Sequence, residues 1–202
     1  MQRAPPKLPS PVQFIENILS QLASCTDTPL SQTKPWMLTL HCLFPNELLL
    51  ALDILDRRLV KRLRRDSSPG ADELFFVISA SAPPSLALST APATKGYEVR
   101  LHAWNCTCPT FALAAFRDPP PGDDPDPEPA PVAVSVAPAY RFGGSLTRGS
   151  TAVPPPVCKH LLACLLAVRC PGVVGGADSD DPCAVVKVSP EEMAGLCAGW
   201  GG

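Results

Sequence analysis

Two short stretches hold the residues whose types and spacing could do chemistry. "WNCTCPTF" places Cys106 and Cys108 one residue apart, immediately before Pro109, and "VCKHLLACLLAV" opens an apolar run with Cys158 and His160. A Cys-x-Cys in turn backbone can steer two thiolates to one point. The second pair is harder, because residues i and i+2 of a helix lie roughly 200° apart and cannot share a metal ion. It works when Cys158 precedes the first turn and His160 lies within it. Pro154, Pro155 and Pro156 favour this, since they keep the approach extended and delay the helix start. Three thiolates and one imidazole make a closed tetrahedral set, the pattern of a single structural zinc. Such soft ligands argue against magnesium or calcium, and a filled coordination shell argues against catalysis at the metal.

Cys164 is the competing ligand, one turn beyond His160 on the same face, but it sits in an apolar run. Cys25, Cys42, Cys170, Cys183 and Cys197 have no partner spacing and read as core or incidental residues, and His41 and His102 as ordinary strand residues. The 49 residues between Cys108 and Cys158 are no obstacle. Loop-closure cost grows only by about 0.6 kcal/mol per doubling of length, and zinc contributes on the order of 10 kcal/mol in small peptides.

The elements that must position these residues follow from the rest of the chain. An apolar content of 46% in 202 residues supports a buried core, while 26 clustered prolines imply disordered segments attached to it. A net charge of −2 gives no overall pull toward nucleic acid or anionic membrane. The start carries no stretch of signal-peptide length, and no apolar run approaches a membrane span, so the reading is intracellular. In a reducing compartment, clustered Cys and His point to metal more than to disulfides.

Ser10 followed by Pro11 starts a helix that runs to about Ala23, with Val12, Ile15, Leu19 and Leu22 on one face. Residues 24–35 read as a polar loop and "PWMLTLHCLF" as a strand or a buried connection. A long helix is expected over 47–65, and a strand over 73–79. Residues 96–104 alternate, predicting a half-exposed strand antiparallel to 73–79, with Tyr97, Val99, Leu101 and Ala103 on one face and Glu98, Arg100, His102 and Trp104 on the other. Residues 117–131 hold seven prolines and five acidic groups, an extended solvated insertion. The segment 139–149 is expected to fold back onto the domain. A helix follows over about 159–169, stopped by Pro171 and Gly172, and a capping box from Ser189 to Glu192 opens a last short helix.

Cys-x-Cys, a variable gap and Cys-x-His resemble the SWIM zinc finger, a ββα metal-binding module. Ala163, three residues after His160, is similar to a position found in one branch, the SWIM-domain subunit of the Shu recombination complex. The Asp56–Leu59 stretch, Phe-Gly-Gly and the terminal "GWGG" resemble its fungal members. The motif covers about a third of the chain, and the Pro/Asp-rich insertion departs from compact members. The fold so implied is α+β: a small antiparallel hairpin and a zinc-anchored helix, with flanking N-terminal helices and a disordered insertion at about 117–138. The organisation is then a tail (1–9), an N-terminal helical region (10–72), a SWIM zinc-finger region (73–170) and a linker with a short helix (171–202).

The resemblance implies one structural Zn2+ held by Cys106, Cys108, Cys158 and His160, and close helix packing at Ala163. It implies a non-enzymatic, nuclear protein that pairs with RecA-like recombinase paralogues and helps recombinase filaments assemble during homologous-recombination repair. DNA would be met through that complex; no membrane or small-molecule substrate is implied. No P-loop, Rossmann fingerprint, Ser/His/Asp grouping or HExxH speaks for an enzyme. A second reading has the module contact DNA directly, because Arg57, Arg58, Lys61, Arg62, Arg64 and Arg65 fall within nine residues of the expected helix. The competing account is a solvated face, with Asp53 pairing Arg57 and bases relieving the helix dipole. SWIM modules also serve ubiquitin ligation and transposition, but no RING-like second Cys/His set or acidic nuclease constellation is present. Trp104 and Trp200 are the aromatics considered for partner contact; buried aromatics are the commoner outcome.

Overall fold

The computed structural model describes residues 9–25, 30–65, 73–79, 96–117, 140–148, 154–174 and 183–198. The Pro/Asp-rich insertion from 118 onward, the N-terminal tail up to residue 8 and Trp200 lie outside the described residues. Helix α1 (Pro11–Ala23) starts where Ser10 and Pro11 predict, with a capping box in which Ser10 and Gln13 bond each other's amides. Its apolar stripe is buried through Val12, Ile15, Ile18, Leu19 and Leu22.

Two expectations for the next segment are corrected. Residues 30–43 form helix α2 (Leu30–Leu43), not a polar loop followed by a strand or connection. Its polar and apolar residues are interspersed and Pro35 lies inside it, so it shows little helical periodicity. Thr33 and Leu40 are nevertheless buried in it.

The long helix over 47–65 is not formed. Helix α3 (Leu48–Asp56) stops and strand β1 (Val60–Arg65) follows. The Arg58 amide bonds Leu55 O at 2.9 Å and the Leu59 amide bonds Ile54 O at 3.0 Å, while Arg58 takes a left-handed φ of 52°. That is a Schellman C-cap, made with arginine where glycine is usual. Beyond it, Val60 and Leu63 are buried in a central strand; Leu55, Leu59 and Leu63 follow helical spacing by coincidence.

Strands β2 (Leu74–Ile78) and β3 (Gly96–Arg100) pair antiparallel as expected, with Phe75 opposite Val99. The small hairpin is however part of a larger mixed sheet. A short β4 (Asn105–Cys106) pairs antiparallel with β3, and β5 (Ala184–Val188) pairs parallel with β1, giving the order β4-β3-β2-β1-β5. Strand β5 falls in the stretch read as linker, and β1 in the region read as helical. One sheet thus draws on the N-terminal, central and C-terminal parts of the chain.

Helix α4 (Pro109–Ala115), absent from the sequence reading, follows the "CTC" turn. Helix α5 (Lys159–Arg169) is buried from His160 through Ala167 and packs against α1, α3 and strands β3 and β4. Pro171 ends α5 as expected and also opens one more turn, α6 (Pro171–Val174). Helix α7 (Pro190–Cys197) carries the Ser189–Glu192 capping box and packs against β1. The fold is α+β.

Candidate metal site

The return segment 140–148 folds back as predicted and ties the layers together. Phe142 is fully buried, 5.9 Å from the Phe44 ring and 4.9 Å from Trp104, and Tyr140 meets Phe75 edge-on at 5.8 Å. Arg169 on α5 bonds Glu16 on α1 and the Tyr140 carbonyl, both at 3.0 Å, while the Glu16 carboxylate accepts from the Phe142 amide. The helix bearing one half of the site is thereby joined to α1 and to the chain that leads into it.

The first half-site sits where the sheet edge meets α4. Cys106 ends β4 opposite Val99, and the Thr107 amide bonds Glu98 O at 3.0 Å, so strand pairing continues through the turn. Cys108 is the N-cap of α4: its sulfur accepts from the Phe111 amide at 3.4 Å, and Pro109 takes the first helical position. The Cys108 amide in turn donates to Cys106 Sγ at 3.5 Å. Both amides favour thiolate.

The second half-site is the entry to α5. Cys158 is the N-cap residue, with extended backbone (φ −132°, ψ 165°), and His160 lies in the first turn, as the i, i+2 spacing requires. The Cys158 sulfur has no cap hydrogen bond of good geometry; a hydrogen bond from Cys106 favours its thiolate, but the bond it gives Cys108 and its burial outweigh this and push its pKa up to about 11. The His160 ring stacks on Tyr97 of β3 with centroids 4.5 Å apart.

The fold brings all four residues together. Their ligand atoms lie within 4.8 Å of one another, and Cys106 Sγ is 3.7 Å from His160 Nδ1. A tetrahedral centre with metal–sulfur bonds of about 2.3 Å and metal–nitrogen bonds of about 2.0–2.1 Å would put its ligand atoms roughly 3.6–3.8 Å apart. All four side chains are buried, Cys158 completely and His160 to 5% exposure. The buried Cys106, Cys108, Cys158 and His160 can therefore hold a metal ion. Among the described residues no other group of three or more Cys, His, Asp or Glu is so placed, and Cys164, though fully buried in α5, lies outside this one.

The three sulfurs hydrogen-bond one another. Hydrogen bonds from Cys106 and then Cys158 hold Cys108 well below the ordinary thiol range, against its burial. Cys106, the donor to both, is pushed far above it. A divalent cation would take all three sulfurs as thiolates and release their protons. Burial raises the Cys164 thiol, as expected of core filler.

Two residues placed by sequence fall elsewhere. Trp104 does not share a half-exposed face with Glu98, Arg100 and His102. The strand ends at Arg100, residues 101–104 turn, and Trp104 is buried to 1% exposure with a left-handed φ of 51°. Ala103, assigned to the buried face, is exposed. Ala163 is fully buried on α5, as are Ala167 beside it and Ala51 on α3, small residues that suit close helix packing. The sequence signal for helix α4 is Pro109 at the first helical position with an alanine-rich run behind it.

The basic cluster is not a helix face. Arg62 and Arg64 lie on β1, and both bond the Glu73 carboxylate, Arg62 Nε at 3.0 Å and Arg64 Nε at 3.1 Å; Tyr140 OH donates to the same group. Arg57 pairs with Asp53 at 3.6 Å.

Fold and site define an α+β protein built around a buried Cys3His cluster able to hold a metal ion. No protein-family model matches the chain, and no curated protein sequence does. Among the described residues no helix is long and apolar enough to cross a membrane.

Proposed function

We propose that this chain is a non-enzymatic zinc-binding subunit that pairs with RecA-like recombinase paralogues and promotes recombinase filament assembly in homologous-recombination repair. The observation that carries the reading is the buried Cys106, Cys108, Cys158 and His160 set. It joins a strand-and-turn half-site to a helix-entry half-site, the arrangement expected of a SWIM-type module. Three thiolates and one imidazole select zinc among abundant divalent ions, and burial of all four leaves the metal a structural role. Zinc would supply a cross-link between the "CTC" turn and the start of α5, with charge to match the thiolates. The nucleus is the matching location, and neither a membrane nor a small-molecule substrate enters the account.

DNA is met through the complex on this reading. Direct contact by residues 57–65 is the weaker alternative, because Arg62 and Arg64 already serve Glu73 and Arg57 serves Asp53. Co-purification tests the proposal: tagged full-length chain should recover a recombinase paralogue, and a Cys106→Ser/Cys158→Ser chain should recover less. A wild-type chain that recovers none overturns it.

A further inference from the structure

The two half-sites are separated by 49 residues of chain, yet their ligand atoms meet within 4.8 Å. So long a connection sets no register by itself. Away from the ligand atoms themselves, a hydrogen bond joins the two approaching segments: Trp104 Nε1 donates to Pro156 O at 2.8 Å. Trp104 stands two residues before Cys106, and Pro156 two residues before Cys158. Two residues of extended chain reach roughly 7 Å, so this bond fixes how closely the two cysteine-bearing segments run as they enter the site.

The local structure supports a positioning role beyond core filling. Trp104 holds a left-handed backbone that costs a bulky residue on the order of 1 kcal/mol, and such conformations persist where surrounding contacts over-determine them. Those contacts are visible. The indole meets Phe142 edge-on at 4.9 Å, and the turn that carries it is docked by the return segment, with the Ser145 amide on His102 O at 2.8 Å. Gly144, at φ +50°, passes so close that a Cβ would lie 2.5 Å from the carbonyl oxygens of Leu101 and His102. Gly143, at φ +84°, leaves a Cβ only 2.9 Å from the Pro155 ring. The Phe-Gly-Gly stretch thus lets the chain leading to Cys158 lie against the turn leading to Cys106.

We propose that Trp104 is a positioning residue for the metal site, its indole N–H setting the register between the Cys106/Cys108 and Cys158/His160 half-sites through the Pro156 carbonyl. The inference rests on the metal reading above and extends it to a residue that is no ligand. Groups that hydrogen-bond a metal ligand directly change metal affinity roughly ten- to a hundredfold, and Trp104, which acts one step further out through the backbone, is expected at the lower end of that range.

The test uses the full chain in four forms: wild type, Trp104→Phe, Trp104 replaced by benzothienylalanine, and Leu22→Ala. Benzothienylalanine keeps the shape of the ring and exchanges only N–H for sulfur. Leu22→Ala is a destabilised control in the α1 core. Zinc affinity is measured by competition with a chromophoric chelator, and cobalt(II) d–d absorption reports coordination geometry. Both changes at Trp104 should weaken zinc by about tenfold or more and alter the cobalt spectrum, while Leu22→Ala lowers Tm and leaves affinity and spectrum as in wild type. Should Trp104→Phe fail to fold, benzothienylalanine decides. Wild-type affinity and spectrum in the benzothienylalanine protein, or an equal loss in Leu22→Ala, overturns the inference. A wild-type chain that takes up neither metal overturns the site reading itself, and this inference with it.

Discussion

Replacing Glu73 with glutamine is the perturbation whose size the structure lets one work out most fully. The Glu73 carboxylate accepts from Arg62, Arg64 and Tyr140, and its side chain is 14% exposed. Burial by itself would raise its pKa, but the hydrogen bonds from Tyr140, Arg64 and Arg62 outweigh burial and bring it down from 4.5 to about 2. A carboxyl so shifted contributes on the order of 3 kcal/mol at neutral pH before screening. Arg64 is 42% exposed, which brings the expectation to about 2 kcal/mol. The folded pKa is lowered, so the contribution is full above 4.5 and is lost as pH falls toward 2. Urea unfolding of wild type and Glu73→Gln at a series of pH values is the assay. Only the difference between the two proteins is used, which cancels acid effects common to both, loss of metal included. That difference should be about 2 kcal/mol at pH 7 and vanish by about pH 2. A difference that stays constant over this range would refute the charge-based account.

Other expectations follow from the same contacts. Arg169→Met should destabilise by about 2 kcal/mol, because the Arg169 side chain is 7% exposed and its loss leaves the Glu16 carboxylate without its charged partner, with only the Phe142 amide donating to it; urea unfolding reads it. Gly144→Ala should cost on the order of 2 kcal/mol, since the added Cβ meets two carbonyl oxygens at 2.5 Å in a left-handed backbone; a fall in Tm checks it, and an unchanged Tm contradicts the close approach. Glutamine at Arg57, Arg58 and Lys61 should leave single-stranded DNA affinity and its salt dependence unchanged for the isolated chain. A loss of salt dependence would revive direct contact by this segment.

The parts of the fold that were legible in the sequence are those written locally. Ser10–Pro11 and Ser189–Pro190 announce α1 and α7 because capping chemistry lies within four residues of each start. The four residues of the buried cluster are legible for the same reason: two thiols around one residue, and a thiol and an imidazole after three prolines, restrict geometry by spacing alone. The misreadings share another cause. At β1 the leucine spacing suits a helix, and the stop that forbids one is a left-handed arginine, invisible without the glycine that usually marks it. Residues of strand β5 pair with residues 123 positions earlier on β1, as in Lys61 with Ala184, and five residues of "AVVKV" carry too little pattern to reveal such a pairing. Alternation carried through residues 101–104 puts Trp104 on the wrong face, because the backbone turns there and the indole N–H bonds the Pro156 carbonyl inside the fold.

The central claim is a single metal held by Cys106, Cys108, Cys158 and His160. The most direct test is metal content per chain, by mass spectrometry of purified full-length protein, for wild type and for Cys106→Ser, Cys158→Ser, His160→Ala and Cys164→Ser. The account predicts one zinc per chain in wild type and Cys164→Ser, and loss of zinc in the other three. A wild type without metal, or a Cys164→Ser protein that loses it, would contradict the account.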